Sequence, residues 1–207
     1  MNVKEKLNEA FKLLKEVVDY TGVNLIDNYG YREFTVNEIL RGRLPSIKKV
    51  IGRTGDDANA INEGYEKIEE KSGTGRGKTL TISSFPNMEF DKQGDPARRS
   101  DIYKYDGLVT SFFEYYNPYP TAILFVNKDH VKKVHPLLKK KQEEKLLQFE
   151  EKQKAGKKIG RDSIQLKLEE VLQYVKEEEM ECWLYGQPID SKEFFRKLYN
   201  NEIKINQ

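Results

Sequence analysis

Residues 52–72 read GRTGDDANAINEGYEKIEEKS, and the fold turns on how this stretch doubles back on itself. Asn62-Glu63-Gly64 has the composition of a three-residue hairpin loop, in which Gly64 takes the left-handed conformation that closes a type I turn with a bulge. A loop centred on Glu63 makes the numbers of opposed residues sum to 126, so Asn59 is expected to face Lys67 and Asp57 to face Glu69. Opposed side chains share a sheet face, with Cβ atoms about 4.5–5.5 Å apart. Two carboxylates held so close repel each other unless a divalent cation lies between them, and hard oxygen ligands are what Mg2+ prefers. Lys71 is two residues beyond Glu69, and strand alternation puts its ammonium on the same face. Asp, Glu and Lys are thus expected to converge on one patch. That set suits phosphodiester hydrolysis: carboxylates position the metal, the metal polarises the phosphate and acidifies a bound water, and the lysine stabilises charge or orients that water. The same spacing also describes a plain surface hairpin studded with charges. A two-residue Glu63-Gly64 loop would instead set Asp56 opposite Lys71, so the choice between Asp56 and Asp57 rests on the loop.

Around this stretch lies a chain of 207 residues, enough for one domain with an ordinary core, and residues 1–207 read as a single unit with helical ends. Charged residues make up 34% of it and aromatics 11%, a balance too aromatic for disorder and too polar for a membrane protein. Glu5 and Glu9 stand where a signal peptide would be apolar, so a soluble, cytoplasmic protein without a membrane partner is expected. The single cysteine, Cys182, excludes a disulfide framework and a cysteine-held zinc, and two histidines, His130 and His135, leave little for an imidazole centre. Any metal is therefore expected on carboxylates. The net charge of +2 conceals a segregation: Lys128 to Arg161 carries 11 Lys and one Arg against five acids, whereas Glu169 to Glu181 carries six Glu against Lys176. A basic block on a nearly neutral chain suits a local polyanion contact, and equally a solvated helix face.

Leu7, Ala10, Phe11, Leu14, Val17 and Val18 fall at helical spacing and stop at Thr21-Gly22, predicting an amphipathic first helix. A second is predicted over Val36 to Leu40, opened by Thr35 with Glu38 in the capping-box position. Strands are predicted within 50–72, at 79–85 (TLTISSF), over Ile102 to Phe113, and at 121–126 (TAILFV), the last apolar enough to be buried on both faces. Helices are predicted over Gln142 to Gln153, Ser163 to Tyr174 and Ser191 to Asn200. Helices at both ends with a mixed sheet between them give an α/β domain, a central mixed β-sheet flanked by helices.

The run GDDA, a turn containing glycine, and YEKIEEKS resemble the catalytic core of the PD-(D/E)xK nucleases, especially small type II restriction endonucleases. Glu38 in TVNEIL, Asp57 in GDDA, and Glu69 and Lys71 in IEEKS match that pattern in order and separation, and the segments Lys104 to Val126 and Pro136 to Leu168 are similar less specifically. Two departures stand out: no proline precedes the aspartate, and Glu70 occupies the middle position that is usually apolar. The resemblance implies a restriction-endonuclease-like fold and Mg2+-dependent cleavage of double-stranded DNA at a short specific site. It implies Asp57, Glu69, Lys71 and Glu38 as catalytic residues, with Asp57, Glu69 and the carbonyl of Glu70 on the metal. It further implies a homodimer, because a duplex site presents two strands related by a twofold axis, and a cognate DNA methyltransferase in the same system. A repair or junction nuclease with the same core and a non-catalytic DNA-binding protein are the alternatives.

Other segments bear on partners. SGTGRGKT at 72–79 resembles a phosphate-binding P-loop, but that loop needs an apolar strand before it and a helix after, and YEKIEEK and LTISSFP supply neither. Its Arg76 and Lys78, the Arg98-Arg99 pair, and Lys157, Lys158, Arg161 and Ser163 within KAGKKIGRDSIQ are the DNA-contact candidates, each of which also reads as a solvated loop. Phe112, Phe113, Tyr115, Tyr116 and Tyr119 read as core aromatics before base-stacking ones. If KAGKKIGRDSIQ enters the major groove, Lys157→Ala is expected to weaken binding to all sequences and flatten its salt dependence. Arg161→Ala should instead lose about 1–3 kcal/mol of discrimination at one base pair. Titration of both variants against matched and single-mismatch duplexes over a range of salt checks this; unchanged discrimination for Arg161→Ala moves base recognition elsewhere.

Overall fold

The computed structural model describes residues 3–21, 29–49, 58–74, 81–86, 89–90, 96–98, 105–114, 117, 119–157 and 163–203. In chain order the helices are α1 (Val3–Thr21), α2 (Tyr29–Leu40), α3 (His135–Lys154), α4 (Leu168–Val171) and α5 (Ser191–Tyr199). The strands are β1 (Lys48–Lys49), β2 (Ala58–Ala60), β3 (Tyr65–Thr74), β4 (Thr81–Pro86), β5 (Glu89–Phe90) and β6 (Pro96–Arg98), then β7 (Gly107–Phe113), β8 (Pro120–Val126), β9 (Ser163–Lys167), β10 (Glu181–Leu184) and β11 (Gln187–Ile189).

Seven strands form one mixed sheet in the order β1-β2-β3-β7-β8-β10-β11, the mixed α/β arrangement that the alternation of elements predicts. Neighbours are antiparallel except β3 and β7, which run parallel. β7 and β8 are buried along their whole length, as expected of apolar runs in the middle of a covered sheet. One face carries Leu108, Phe112, Ala122, Leu124, Val126 and Cys182 and packs against α3, β9, α4 and α5. The other carries Ile68, Val109, Phe113, Ile123, Phe125 and Trp183 and packs against Val36 and Leu40 of α2. β4 and β9 pair antiparallel beside the main sheet. Among the described residues no helix is long and apolar enough to cross a membrane.

Several sequence expectations shift. α2 begins at Tyr29 rather than Val36, so Thr35 lies inside it, buried, and not at its N-cap. The line Arg32-Val36-Leu40, spaced by fours, carries the packed face back through aromatics whose weak helix propensity reads as a break. α3 starts at His135, with Pro136 in its first turn, where the missing N–H costs nothing. Residues 163–174 are not one helix: Ser163–Lys167 is a strand with Ile164 and Leu166 buried and Gln165 exposed, followed by the short α4. Its strand partner, β4, is far away in sequence, and the SIQLK run fits both periods until that partner is known. The β10–β11 hairpin was not anticipated; its turn is Tyr185-Gly186, both at positive φ (48° and 77°), the backbone of a type I′ turn.

Gly107 opens β7 opposite Ile68, and a Cβ there would lie 2.8 Å from Phe125 Cε2 and 3.5 Å from Tyr65 Cδ1. Phe125 is fully buried and has no room to withdraw. Gly107→Ala is therefore expected to destabilise the fold by about 1–3 kcal/mol through overpacking. Denaturant unfolding measures it; an unchanged midpoint would mean the sheet opens at this corner.

Candidate functional site

The β2–β3 hairpin is held at both ends. Gly64 sits at φ 79°, in the left-handed region expected of it, and closes a single 3-10 turn over Ile61–Glu63. The loop is one residue longer than the expected Asn62-Glu63-Gly64, because Ala60 pairs with Tyr65. An irregularity between Ala60 and Ala58 then absorbs the extra residue, and Ala58 pairs with Ile68, the register the sequence arithmetic predicts. The turn is tied down by Glu63, whose carboxylate accepts from the Ser46 amide (3.3 Å) and the Ser46 hydroxyl (2.5 Å). Lys128 Nζ donates to the Glu63 carbonyl at 2.8 Å and lies over the Tyr65 ring. On the other side, the Asp106 carboxylate accepts from the amides of Glu66 (2.8 Å) and Lys67 (3.1 Å), while its own amide donates to the Lys67 carbonyl at 2.8 Å. These bonds launch the parallel ladder at Ile68 opposite Gly107.

From that start the register is Glu69 beside Leu108, Glu70 beside Val109, Lys71 beside Thr110 and Ser72 beside Ser111. Glu69 and Lys71 share the face of Leu108, which is covered by α3 and β9; Glu70 and Ser72 share the face of α2. The Glu69 side chain is 1% exposed, and Lys71 Nζ stands 3.0 Å from its Oε1 with 34% of the lysine side chain open to solvent. An inner carboxylate is thereby matched to an ammonium that reaches the surface. On the opposite face Glu70 is also buried and accepts from Asn37 Nδ2 of α2 at 3.4 Å. The two serines meet at 2.9 Å between their hydroxyls, and the Ser111 hydroxyl donates to the Lys71 carbonyl at 3.4 Å.

Glu69 and Lys71 share one face, as strand alternation predicts, and Glu70 is buried on the other. Glu38 sits elsewhere: α2 packs on the Glu70 face, and the Glu38 carboxylate accepts from Arg41 Nε at 2.8 Å. Asp56 and Asp57 lie outside the described residues, as do Arg76, Lys78, Arg99, Lys158 and Arg161. Arg98 ends β6, paired with Glu89. Lys157 is exposed just past α3, its amide donating to the Lys152 carbonyl at 3.0 Å, and Ser163 opens β9 opposite Pro86. KAGKKIGRDSIQ thus joins a helix to a strand rather than two helices. Its β9 end lies on the side of the sheet that carries Glu69 and Lys71, because Ile164 and Leu166 of β9 pack with Leu108 and Phe112.

Sequence reasoning missed Asn37 and Arg32. Asn37 is buried with its Oδ1 making no hydrogen bond, and Arg32 is buried with its guanidinium 5.3 Å from the centre of the Phe113 ring, where desolvation lowers its pKa. The signal for Arg32 was its i, i+4 spacing to Val36; for Asn37 there was none without the register of β3. Cys182 is buried in the core, and burial, with the charges of Asp190, Glu181 and Glu177 behind it, pushes its thiol up to about 12, which suits it to packing rather than attack. Burial first, and then Lys132, lowers the pKa of His135. Among the described residues no group of three or more His, Cys, Asp or Glu side chains is placed to hold a metal. No protein-family model matches the chain, and no curated protein matches it.

The Asn37–Glu70 contact gives a test of the sheet's lower face. Asn37→Ala removes a donor from a buried carboxylate and is expected to cost about 1–3 kcal/mol of stability. Asn37→Asp, which adds a like charge there, should cost more. Chemical denaturation of the two variants checks the order; equal, negligible losses would mean that Glu70 is held entirely by other groups.

Proposed function

We propose that the chain is a metal-dependent nuclease that cuts duplex DNA at a short specific site in the manner of the type II restriction endonucleases it resembles, acting in the cytoplasm as a homodimer. The observation that supports this reading is the buried Glu69 carboxylate with the Lys71 ammonium 3.0 Å away on the same sheet face. A glutamate this deep adds little net stability even when paired, and its pairing with an ammonium that reaches solvent favours a site over a scaffold. Asp57 is bonded to Ala58, which pairs with Ile68, and belongs to the proposed set on that ground of connectivity.

The donors fit a hard divalent cation: the Glu69 carboxylate, the Asp57 carboxylate and the Glu70 carbonyl are oxygens of the kind Mg2+ takes. Bound there, the cation would supply positive charge to the scissile phosphate and a more acidic water. Lys71 orients the attacking water or stabilises charge on the phosphate, its reach to solvent letting the ammonium meet a substrate from outside. Ser111 holds the Lys71 backbone, and so the direction of its side chain, through the bond to the Lys71 carbonyl. Within KAGKKIGRDSIQ, Lys157 and Lys158 are the phosphate-positioning candidates and Arg161 and Ser163 the base-reading ones. Arg76, Lys78, Arg98 and Arg99 are the next candidates for DNA contact. Glu38 enters only as a more distant carboxylate, because its helix lies on the other face.

The deciding experiment is digestion of sequenced plasmid DNA with Mg2+, followed by mapping of the ends. Glu69→Gln and Lys71→Ala are each expected to lower the cleavage rate by about a hundredfold or more, while circular dichroism and duplex binding stay close to wild type. Full activity in either variant overturns the assignment. Wild-type protein that binds duplex but fails to cut it with any divalent cation would be a DNA-binding protein instead.

A further inference from the structure

β1 to β3 carry further polar side chains on the face of Glu69 and Lys71. Ala58 and Ala60 are fully buried on the α2 side, so Asn59 between them points to the other face. Lys48 is the cross-strand partner of Asn59 and shares that face, whereas Lys49, paired with Ala58, points towards α2 and forms an ion pair with Glu33. On β3, Tyr65 and Ile68 pack on the α2 side, and the two residues between them, Glu66 and Lys67, stand against Asn59 alone. Lys67 precedes Glu69 by two residues as Lys71 follows it by two, so the three line one face at steps of about 6.6 Å. Across the strands, Lys48, Asn59 and Lys67 form a row whose neighbours are about 4.8 Å apart.

This row lies open. Among the described residues the core on this face draws on the main sheet from β7 onward and on no residue of β1 to β3. Lys48 and Glu66 are exposed, and Asn59 and Lys67 half-buried. The Asn59 Oδ1 is buried without a hydrogen-bond partner, and neither the Lys48 nor the Lys67 ammonium is ion-paired with a described residue. The Asp106 carboxylate beside them is engaged by the Glu66 and Lys67 amides, and Glu69 is paired with Lys71. The row therefore holds two ammoniums against one exposed carboxylate, Glu66. We propose that it grips the phosphates next to the one at Glu69, Lys48 and Lys67 through their charge and Asn59 as a neutral hydrogen-bonding group between them. A phosphodiester chain is an anion repeated along a line, and contacts to its phosphates set the register in which one of them reaches the reacting groups. Lys67 prolongs the line of Glu69 and Lys71, and Asn59 and Lys48 carry it across to β1, an edge of the sheet where a strand of DNA has room to pass. The choice of DNA as the ligand rests on the nuclease reading; the row itself rests on the pairing of β1, β2 and β3.

Duplex binding in the absence of cleavage tests this. Fluorescence anisotropy of a labelled duplex with the full chain, in EDTA and over a range of salt, gives an affinity and a salt slope for each variant. Lys48→Ala and Lys67→Ala are each expected to weaken binding and to reduce the slope of log K against log salt by about 1. Lys67→Arg keeps the charge and should retain the wild-type slope, and Glu66→Gln, which removes the acid of the row, should tighten binding. Circular dichroism identifies any variant that misfolds; if Lys67→Ala does, Lys48→Ala, at an exposed edge position, decides. Wild-type affinity and slope in the folded lysine variants, or a wild-type protein that binds no duplex at any salt, would overturn the proposal. Plasmid cleavage by a protein whose binding ignores both lysines would sink the row and spare the nuclease. Binding that depends on both lysines, in a protein that fails to cut with Mg2+, would do the reverse.

Discussion

Glu69 and Glu70 are consecutive carboxylates on a central strand, and strand alternation sends one to each face of the sheet, both into burial. Much of the structure around β3 answers that constraint. A charge taken out of water must be met by a counter-charge or by hydrogen bonds, and each face meets it differently. On the Glu69 face the answer comes from the strand itself, through Lys71 two residues on. On the Glu70 face a neighbouring helix provides Asn37. The first solution leaves an ammonium looking outward and is suited to chemistry; the second is closed and is suited to holding α2 at a defined height over the sheet.

That division depends on the parallel register of β3 with β7, which polar bonds outside the ladder hold. Asp106 takes two consecutive amides of β3 just before the pairing begins, and Gly107 lets Phe125 and Tyr65 close over the same corner. A slip by one residue would exchange the faces of Glu69 and Glu70, putting Glu69 and Lys71 beside α2 and taking Glu70 away from Asn37. The braces at Asp106, Glu63 and Lys128 lie at the hairpin end of the strand, away from Lys71. The braced end fixes the geometry from which the part-exposed Lys71 side chain is presented.

How much of this was legible in the sequence follows from the range of the interactions involved. The left-handed Gly64, the pairing of Ala58 with Ile68 and the shared face of Glu69 and Lys71 depend on local turn chemistry and alternation, and they read directly. The extra loop residue did not, because a compensating bulge leaves the distant register unchanged. The misread stretches are those decided by partners remote in sequence. Ser163–Lys167 becomes a strand because β4 is beside it, and α2 reaches back to Tyr29 because the sheet accepts Arg32 and Thr35 beneath it. Glu38 was expected near the carboxylates by order along the chain, but order does not say over which face a helix crosses, and the Val36–Leu40 line places it over the other one.

The same limit explains the contrast between the two amphipathic helices nearest the ends. α1 and α5 both announce an apolar face by spacing, and spacing alone treats them alike. The sheet absorbs Phe194 and Phe195 because Asp190 caps α5 directly after the β10–β11 hairpin, so the chain delivers that face onto Cys182 and its neighbours. α1 has no such delivery: seven residues, Gly22 to Asn28, separate it from α2, and its described tie to the sheet at Tyr119 is polar. A helical period specifies that a face needs covering. Connectivity decides by what: it carries the α5 face straight onto the sheet, and builds no such delivery into α1.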